Sequence, residues 1–180
     1  MRHFVFLRAI NVGGHRVKMD DLRGMFADLG FPEAETFLAS GNVILDAGPD
    51  ALAEAGDLEQ RIEAGLEEAL GYDVATFVRE AAELRALATA VPQSGRRVET
   101  PQAVNVAFLR TPLDGEQRER LAEFETDIDE FHLDGRHLVW LCGTRQSDSA
   151  FSNAALERKL GLQATFRGIN TIRRLLKKYL

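Results

Sequence analysis

Residues 103–110, AVNVAFLR, indicate the fold class, because they repeat the apolar pattern of residues 3–10, HFVFLRAI. Both stretches are typical of β-strands, and Phe6-Leu7-Arg8 corresponds to Phe108-Leu109-Arg110. A half-exposed strand alternates apolar and polar residues, whereas these two strands are apolar on both faces. We therefore predict that both faces of each sheet are covered, and that the chain contains two copies of one unit.

Further matches follow in the same order along the chain. They pair Phe37 and Ser40-Gly41 with Phe131 and Asp134-Gly135, Leu70-Gly71 with Leu160-Gly161, and Ala75-Thr76-Phe77 with Ala164-Thr165-Phe166. Each copy follows the order β-α-β-β-α-β-α, which is that of a ferredoxin-like unit (βαββαβ) with an added helix. The sequence thus predicts an α+β protein of two tandem ferredoxin-like repeats with antiparallel sheets. We assign the first repeat to residues 1–92, a linker to 93–102 and the second repeat to 103–180.

Turn and capping residues bound the predicted elements. The predicted strands are 3–10, 35–39, 42–46, 73–79, 103–110, 128–133, 136–142 and 163–167. Helices are predicted to follow the caps Asp20, Asp50, Asp114 and Asn170, with others at 80–91 and 152–160. Gln117 lies three residues after Asp114, which is the spacing of a capping box.

The second predicted hairpin turns at Asp134-Gly135, a strong hairpin signal. This turn would place Leu133 opposite Arg136 and His132 opposite His137. Glu130, His132 and His137 then share one face, which is either a solvated polar face or a set of ligands for a divalent metal. We favour the solvated face and predict no metal site and no cofactor.

Composition excludes several classes of protein. The chain has 180 residues, a net charge of -6 and one cysteine. The charge argues against a protein that coats nucleic acid, and the single thiol is compatible with a reducing compartment. No apolar run approaches the ~18 residues that a membrane span needs, and Arg2 and Arg8 interrupt the apolar start of the chain. A cytoplasmic protein without a membrane partner is therefore expected.

Basic residues collect at both ends of this acidic chain. Residues 1–18 hold four arginines and lysines and no acid, and residues 157–180 hold seven against one acid. If these segments meet, they form a positive cleft that suits a small anion. The glycine-rich residues 11–18 lie between a strand and a helix, where backbone N–H groups can converge on an anion. The candidate ligand-binding residues are Arg8, Asn11, Gly13, Gly14, Arg16, Lys18, Ser40, Asn42, Arg167, Asn170 and Thr171.

Each candidate also has a purely structural interpretation. Gly13 and Gly14 are typical of a turn that needs positive φ, and the basic residues of the last helix complement its dipole. Asn170 as the N-cap of that helix would be a complete explanation of its presence. Cys142 lies in an apolar strand and is expected to be an inert core thiol.

Several of these motifs together resemble a known family. The N-terminal residues 7–14 (LRAINVGG), with Val17-Lys18-Met19 and residues 40–43 (SGNV), resemble the bacterial family called domain of unknown function 1697 (DUF1697). Leu160-Gly161, Arg167 and Asn170-Thr171 fit the same family. The resemblance implies a cytosolic α+β protein with no established activity. The family usually has lysine where Ala150 follows Ser149, and asparagine where Gly168 stands.

Three functions stay open from the sequence. The first is binding of a small anionic ligand, a nucleotide or a phosphorylated metabolite, in the basic cleft. The second is an interaction module or homodimer without catalytic activity. The third is an enzyme acting on a phosphorylated small molecule, with His15 as the nearby group that titrates near neutrality. The sequence does not identify catalytic residues.

Overall fold

The computed structural model describes residues 1–11, 13–48 and 58–180. They form two compact units, Met1–Leu84 and Arg85–Leu180. Each unit contains a four-stranded antiparallel sheet with the same strand order, in which the third strand in sequence pairs with the first. The prediction of an α+β fold with two tandem βαββαβ repeats is therefore confirmed.

The elements alternate as the sequence predicts. The strands are β1 (Arg2–Leu7), β2 (Glu35–Thr36), β3 (Asn42–Asp46), β4 (Thr76–Glu80), β5 (Ala103–Leu109), β6 (Asp129–Asp134), β7 (His137–Cys142) and β8 (Ala164–Gly168). The helices are α1 (Met19–Asp28), α2 (Leu58–Leu70), α3 (Ala81–Ala90), α4 (Gly115–Ala122), α5 (Asn153–Leu160) and α6 (Ile169–Tyr179). A short 3₁₀ turn spans Gln146–Asp148. The sheet orders are β2-β3-β1-β4 and β6-β7-β5-β8.

Alternate residues of each central strand face opposite sides of the sheet, and both sides are buried. Val5 and Leu7 join the apolar core of the first unit, and Ala107 and Leu109 join that of the second. Their neighbours on the opposite faces are equally inaccessible, namely Phe4, Phe6, Val106 and Phe108. The last helix, α6, packs against β5 and β8. The prediction that both faces are covered is confirmed.

The strand registers refine the internal alignment of the two units. Phe6 pairs with Phe77 in the first sheet, whereas Phe108 pairs with Thr165 in the second. The predicted match of Ala75-Thr76-Phe77 with Ala164-Thr165-Phe166 is therefore wrong by one residue. Four residues separate Gly71 from β4, but only two separate Gly161 from β8. This difference in loop length hid the correct register.

The corrected register makes Arg79 and Arg167 structural equivalents. Arg79 lies opposite Phe4, and Arg167 lies opposite Val106, the equivalent of Phe4. Both arginines are buried. Arg79 is paired with two carboxylates, with Nη1 3.7 Å from Glu59 Oε1 and Nε 3.4 Å from Glu83 Oε1.

Glutamates of the second helix in each unit bind the outer strand. In the first unit, Glu63 Oε1 accepts from Thr76 N at 2.8 Å and Glu59 Oε1 accepts from Val78 N at 2.7 Å. In the second, Glu157 Oε1 accepts from Ala164 N at 2.9 Å. These N–H groups lie on strands β4 and β8, which end their sheets, so the carboxylates satisfy donors that no neighbouring strand reaches.

Capping predictions have mixed outcomes. The capping box of Asp114 and Gln117 is confirmed, and the structure adds Ser152 as the cap of α5 and Gly161 as its left-handed end. Asp20 is not an N-cap, because α1 begins earlier with Lys18 at the cap position; Asp20 instead pairs with Arg23. The predicted cap Asp50 lies outside the described residues.

Asn170 does not cap the last helix. Strand β8 runs directly into α6, so the N-cap position falls on Gly168 and no side chain accepts a hydrogen bond there. Asn170 lies inside the first turn and is exposed. The strand before it leaves no loop in which Asn170 could adopt a cap conformation.

The register of the second hairpin also differs from its prediction. Asp134 pairs with His137 and His132 with Val139, so Gly135-Arg136 forms the turn. Gly135 has φ +55°, and placing it at the first turn position supplies the positive φ that a type II′ turn needs there. Each residue keeps its predicted face of the sheet, because its partner on the facing strand changes by two residues. Phe131, Leu138 and Trp140 share the core face.

Candidate functional site

The glycine loop of the first unit lies between β1 and α1. Gly13 and Gly14 have φ +70° and +91°, and both are exposed. The Asn11 side chain holds the loop together, because its Oδ1 accepts from Val17 N at 2.7 Å while its Nδ2 donates to Ala39 O at 3.0 Å. The second bond ties the loop to the turn that precedes β3. Asn11 thus has a positioning role whatever the loop binds.

Two cations stand at the end of this loop. Arg16 and Lys18 are exposed, and Lys18 occupies the N-cap position of α1. No side chain caps this helix, so the first-turn N–H groups are not occupied by a capping oxygen. Asp20 and Asp21 lie in the same turn and offset part of the positive potential. The arrangement combines two exposed cations with a helix N-terminus and a glycine turn.

An aromatic pair adjoins the loop. The His15 ring stacks on Tyr72 with 3.8 Å between ring centroids and 26° between planes. The Tyr72 hydroxyl is shielded from solvent and has no hydrogen-bond partner among the described residues. Sequence reasoning did not find Tyr72, because it lies 57 positions from His15 and follows the helix-ending Gly71 without any motif. The pair gives the loop a flat surface beside its cations.

The other first-unit candidates differ in accessibility. Asn42 is only 1% exposed, and its Nδ2 donates to Phe37 O at 2.8 Å and to Ser40 Oγ at 2.9 Å. Ser40 itself is exposed, next to the Ala39 carbonyl that Asn11 binds. Arg8 is half-buried, and its backbone N–H donates to Ala75 O at 2.9 Å. The structure therefore brings the glycine loop and the Ser40 turn together. The buried Asn42 side chain stabilises this turn through its two hydrogen bonds.

The remaining candidates belong to the second unit. Arg167 is 8% exposed, and its Nη1 donates to Thr165 Oγ1 and Phe166 O, both at 2.8 Å. Burial lowers the pKa of Arg167 to about 10, so the guanidinium remains charged at neutral pH. Asn170 is exposed and Thr171 half-buried at the start of α6. Arg167 is engaged by its own strand rather than presented to solvent.

The predicted linker contains a feature that sequence reasoning missed. Glu130 of β6 is buried, and its carboxylate accepts backbone N–H bonds from Arg96 at 3.1 Å, Arg97 at 2.7 Å and Val98 at 3.0 Å. Burial alone would raise the pKa of Glu130. These three bonds and the nearby His132 outweigh that effect and lower the pKa to about 2. The loop thus encloses a permanent negative charge.

His132 follows on the same face of β6. Its Nε2 lies 3.0 Å from Glu130 Oε1 and is shielded from solvent, although the ring is not oriented for a directed hydrogen bond. The side chain as a whole is 39% exposed. His137 lies on this face too, with its Cα opposite Asp134 and its ring edge-on to Phe108, with 5.7 Å between ring centroids.

A family model described as "Protein of unknown function (DUF1697)" matches residues 1–139. The chain belongs to this family. A similar solved structure is that of the conserved bacterial protein SP0830 from Streptococcus pneumoniae, with a TM-score of 0.72 and 20% identity over 98% of this chain and 97% of that chain. At this identity the likeness shows the fold alone. The comparison with curated proteins found no match.

The span of the DUF1697 match bears on the candidate residues. The matched residues 1–139 include the glycine loop, Ser40, Asn42, Glu130 and His132. Arg167, Asn170 and Thr171 lie beyond it. The family resemblance noted for the N-terminal motif is confirmed, while the family description assigns no activity to any of these positions.

The described residues contain neither a cluster of metal-binding side chains nor a helix that could span a membrane. Within 1–11, 13–48 and 58–180, no three His, Cys, Asp or Glu side chains are grouped so that they could hold a metal ion. No helix in the same part of the chain is long and apolar enough to cross a membrane.

Proposed function

We propose that the protein binds a small anion, a nucleotide or a phosphorylated metabolite, at the glycine loop of the first unit. The observation that carries the proposal is that exposed Arg16 and Lys18 flank a helix N-terminus without a capping side chain, directly after two glycines with positive φ. Glycine turns and helix N-termini direct backbone N–H groups at anions, and the two side chains add full charges.

A small ligand suits this site better than a polymer. The site provides two exposed cations, and Asp20 and Asp21 lie in the first turn of the helix that follows. Nucleic acid binding draws on many phosphate contacts, which a chain of net charge -6 does not favour. A single phosphate group needs only a few charge-assisted hydrogen bonds.

The loop is partly organised before any ligand arrives. The two hydrogen bonds of Asn11 fix its first residue to Val17 and to Ala39. A site whose backbone is already ordered loses less conformational entropy on binding. The exposed ring of His15, stacked on Tyr72, offers a surface on which a nucleobase can stack.

The same proposal places the protein in the bacterial cytoplasm, where phosphorylated metabolites are abundant. Its one cysteine, Cys142, is a free thiol and fully buried in β7. A reduced thiol of this kind is compatible with a reducing compartment.

Titration calorimetry with inorganic phosphate and AMP tests the proposal. The variant Arg16→Ala/Lys18→Ala should weaken binding at least tenfold, because both full charges leave the site. The matched control is Arg173→Ala/Lys177→Ala, which removes the same charge from exposed positions of α6. Equal affinity of the two double variants, or no binding by the unaltered protein, would contradict the proposal. An unchanged unfolding midpoint in each variant shows that the fold is intact.

A further inference from the structure

A second concave site lies within the second unit. A cavity of about 360 Å³ opens between the end of α3 and the β6–β7 hairpin. Pockets for small molecules begin at about this size. Its walls include Leu87, Ala90 and Val91 from the helix side and His132, Asp134 and Val139 from the hairpin.

The walls are apolar and the polar groups are few. Leu87, Val91 and Val139 are at most 4% exposed, so they form a firm surface. The polar lining consists of His132 and Asp134, which lie two residues apart on one face of β6. A pocket with apolar walls and a small number of placed polar groups is the usual form of a small-molecule site.

The charge of the cavity is negative. Asp134 lines it directly, and the Glu130 carboxylate stands 3.0 Å behind the His132 ring nitrogen. Neither lysine nor arginine is among the lining residues. An anion entering the cavity would be repelled by the Asp134 carboxylate, whereas a cation would be attracted by it.

The position of the Glu130 charge is fixed by the fold. Three backbone N–H groups hold its carboxylate, and Gly95 packs against it. The charge therefore cannot turn away from the hairpin.

We propose that this cavity binds a small primary amine with an apolar body, whose ammonium group pairs with the Asp134 carboxylate while its hydrocarbon part contacts Leu87, Val91 and Val139. The site is separate from the glycine loop, and its ligand has the opposite charge. The ammonium donates hydrogen bonds to the Asp134 carboxylate. The buried Glu130 carboxylate, which does not line the cavity, adds to its negative potential without touching the ligand.

Three probes with one hydrocarbon body and different head groups test the proposal. They are cyclohexylmethylamine, cyclohexylmethanol and cyclohexanecarboxylate, titrated at millimolar concentrations into the full chain with labelled methyl groups. We expect the methyl resonances of Leu87, Val91 and Val139 to shift with the amine. Affinity for the amine should be at least tenfold higher than for the alcohol, with the carboxylate weakest.

Variants separate the charge from the shape of the cavity. Asp134→Asn should reduce the affinity for the amine towards that for the alcohol and leave the alcohol unaffected. The control Asp127→Asn removes a charge from an exposed position that does not line the cavity, and the amine should bind it as before. Absence of methyl shifts with all three probes would overturn the proposal. Binding that is equal for amine and carboxylate, or unchanged in Asp134→Asn, would overturn it as well.

Discussion

Gly95 packs directly on the carboxylate of Glu130, and the two residues leave no space for a side chain between them. A Cβ atom at position 95 would overlap Glu130 Cδ and both of its oxygens. This contact allows the N–H groups of Arg97 and Val98 to reach one carboxylate oxygen at 2.7 and 3.0 Å. The segment predicted as a linker is therefore a binding loop for an internal anion.

Gly95→Ala should destabilise the protein by about 1–3 kcal/mol, the usual cost of forcing atoms into a filled space. The overlapping atoms belong to a carboxylate held by three N–H groups, so they have little freedom to move. Urea unfolding measures the change. Gly24→Ala is the matched control, because Gly24 lies in α1 with open space around it and alanine favours a helix. A stability loss as large in Gly24→Ala would contradict this explanation.

Glu130→Gln should change how the free energy of unfolding depends on pH below about pH 5. The folded carboxyl has a pKa of about 2, below the ordinary value of about 4.3, so its stabilising contribution is complete above pH ~4.3. That contribution is lost as the pH falls towards 2. The difference in unfolding free energy between wild type and Glu130→Gln should therefore be largest from pH 5 to 7 and shrink below pH 4. The exposed Glu119→Gln variant should follow the wild-type curve, and a constant difference across this range would exclude the mechanism.

Removal of the buried Arg79 side chain should destabilise the protein far more than removal of an exposed arginine in an ion pair. Arg79→Met leaves the buried Glu59 without its cation, which costs about 3–5 kcal/mol in comparable cases. Arg23→Met removes an exposed pair with Asp20, and the expected loss is about 0–1 kcal/mol. Denaturant unfolding compares the two variants directly. Similar losses would show that the Glu59–Arg79 pair is not a structural element of the fold.

Gly65 and Leu29 should behave as a coupled pair. A Cβ at position 65 of α2 would overlap the Leu29 side chain at the end of α1. Gly65→Ala alone should lower the free energy of unfolding by about 1–3 kcal/mol, the usual cost of overpacking a core. Adding Leu29→Ala frees the space, so the double variant should be more stable than the sum of the two single losses predicts. Thermal unfolding of the four proteins gives the coupling energy, and strict additivity would disprove the contact.

Local patterns were sufficient for most of the fold. The apolar strands predicted at 103–110 and 3–10 and the capping box at Asp114 each depend on residues close in sequence, and each is present in the structure, with the strands ending at Leu109 and Leu7. The hairpin register failed because Asp134-Gly135 and Gly135-Arg136 are both acceptable turns. The choice between them depends on pairing across the whole strand.

The candidate sites depend on contacts that no local pattern encodes. Val98 N binds Glu130 across 32 residues, and nothing in the composition of the loop indicates this partner. For Arg167 the sequence predicted a ligand contact from its charge, whereas the fold buries the side chain. The glycine loop was found because positive φ, flanking cations and a following helix are all visible in the sequence.

The glutamates that bind β4 and β8 also affect how chains can associate. A sheet grows by strand addition when the N–H and C=O groups of its last strand are available to another chain. Glu63 and Glu157 already accept the N–H groups of Thr76 and Ala164, so an incoming strand would have to displace them. The protein therefore resists joining into a continuous intermolecular sheet at these two edges.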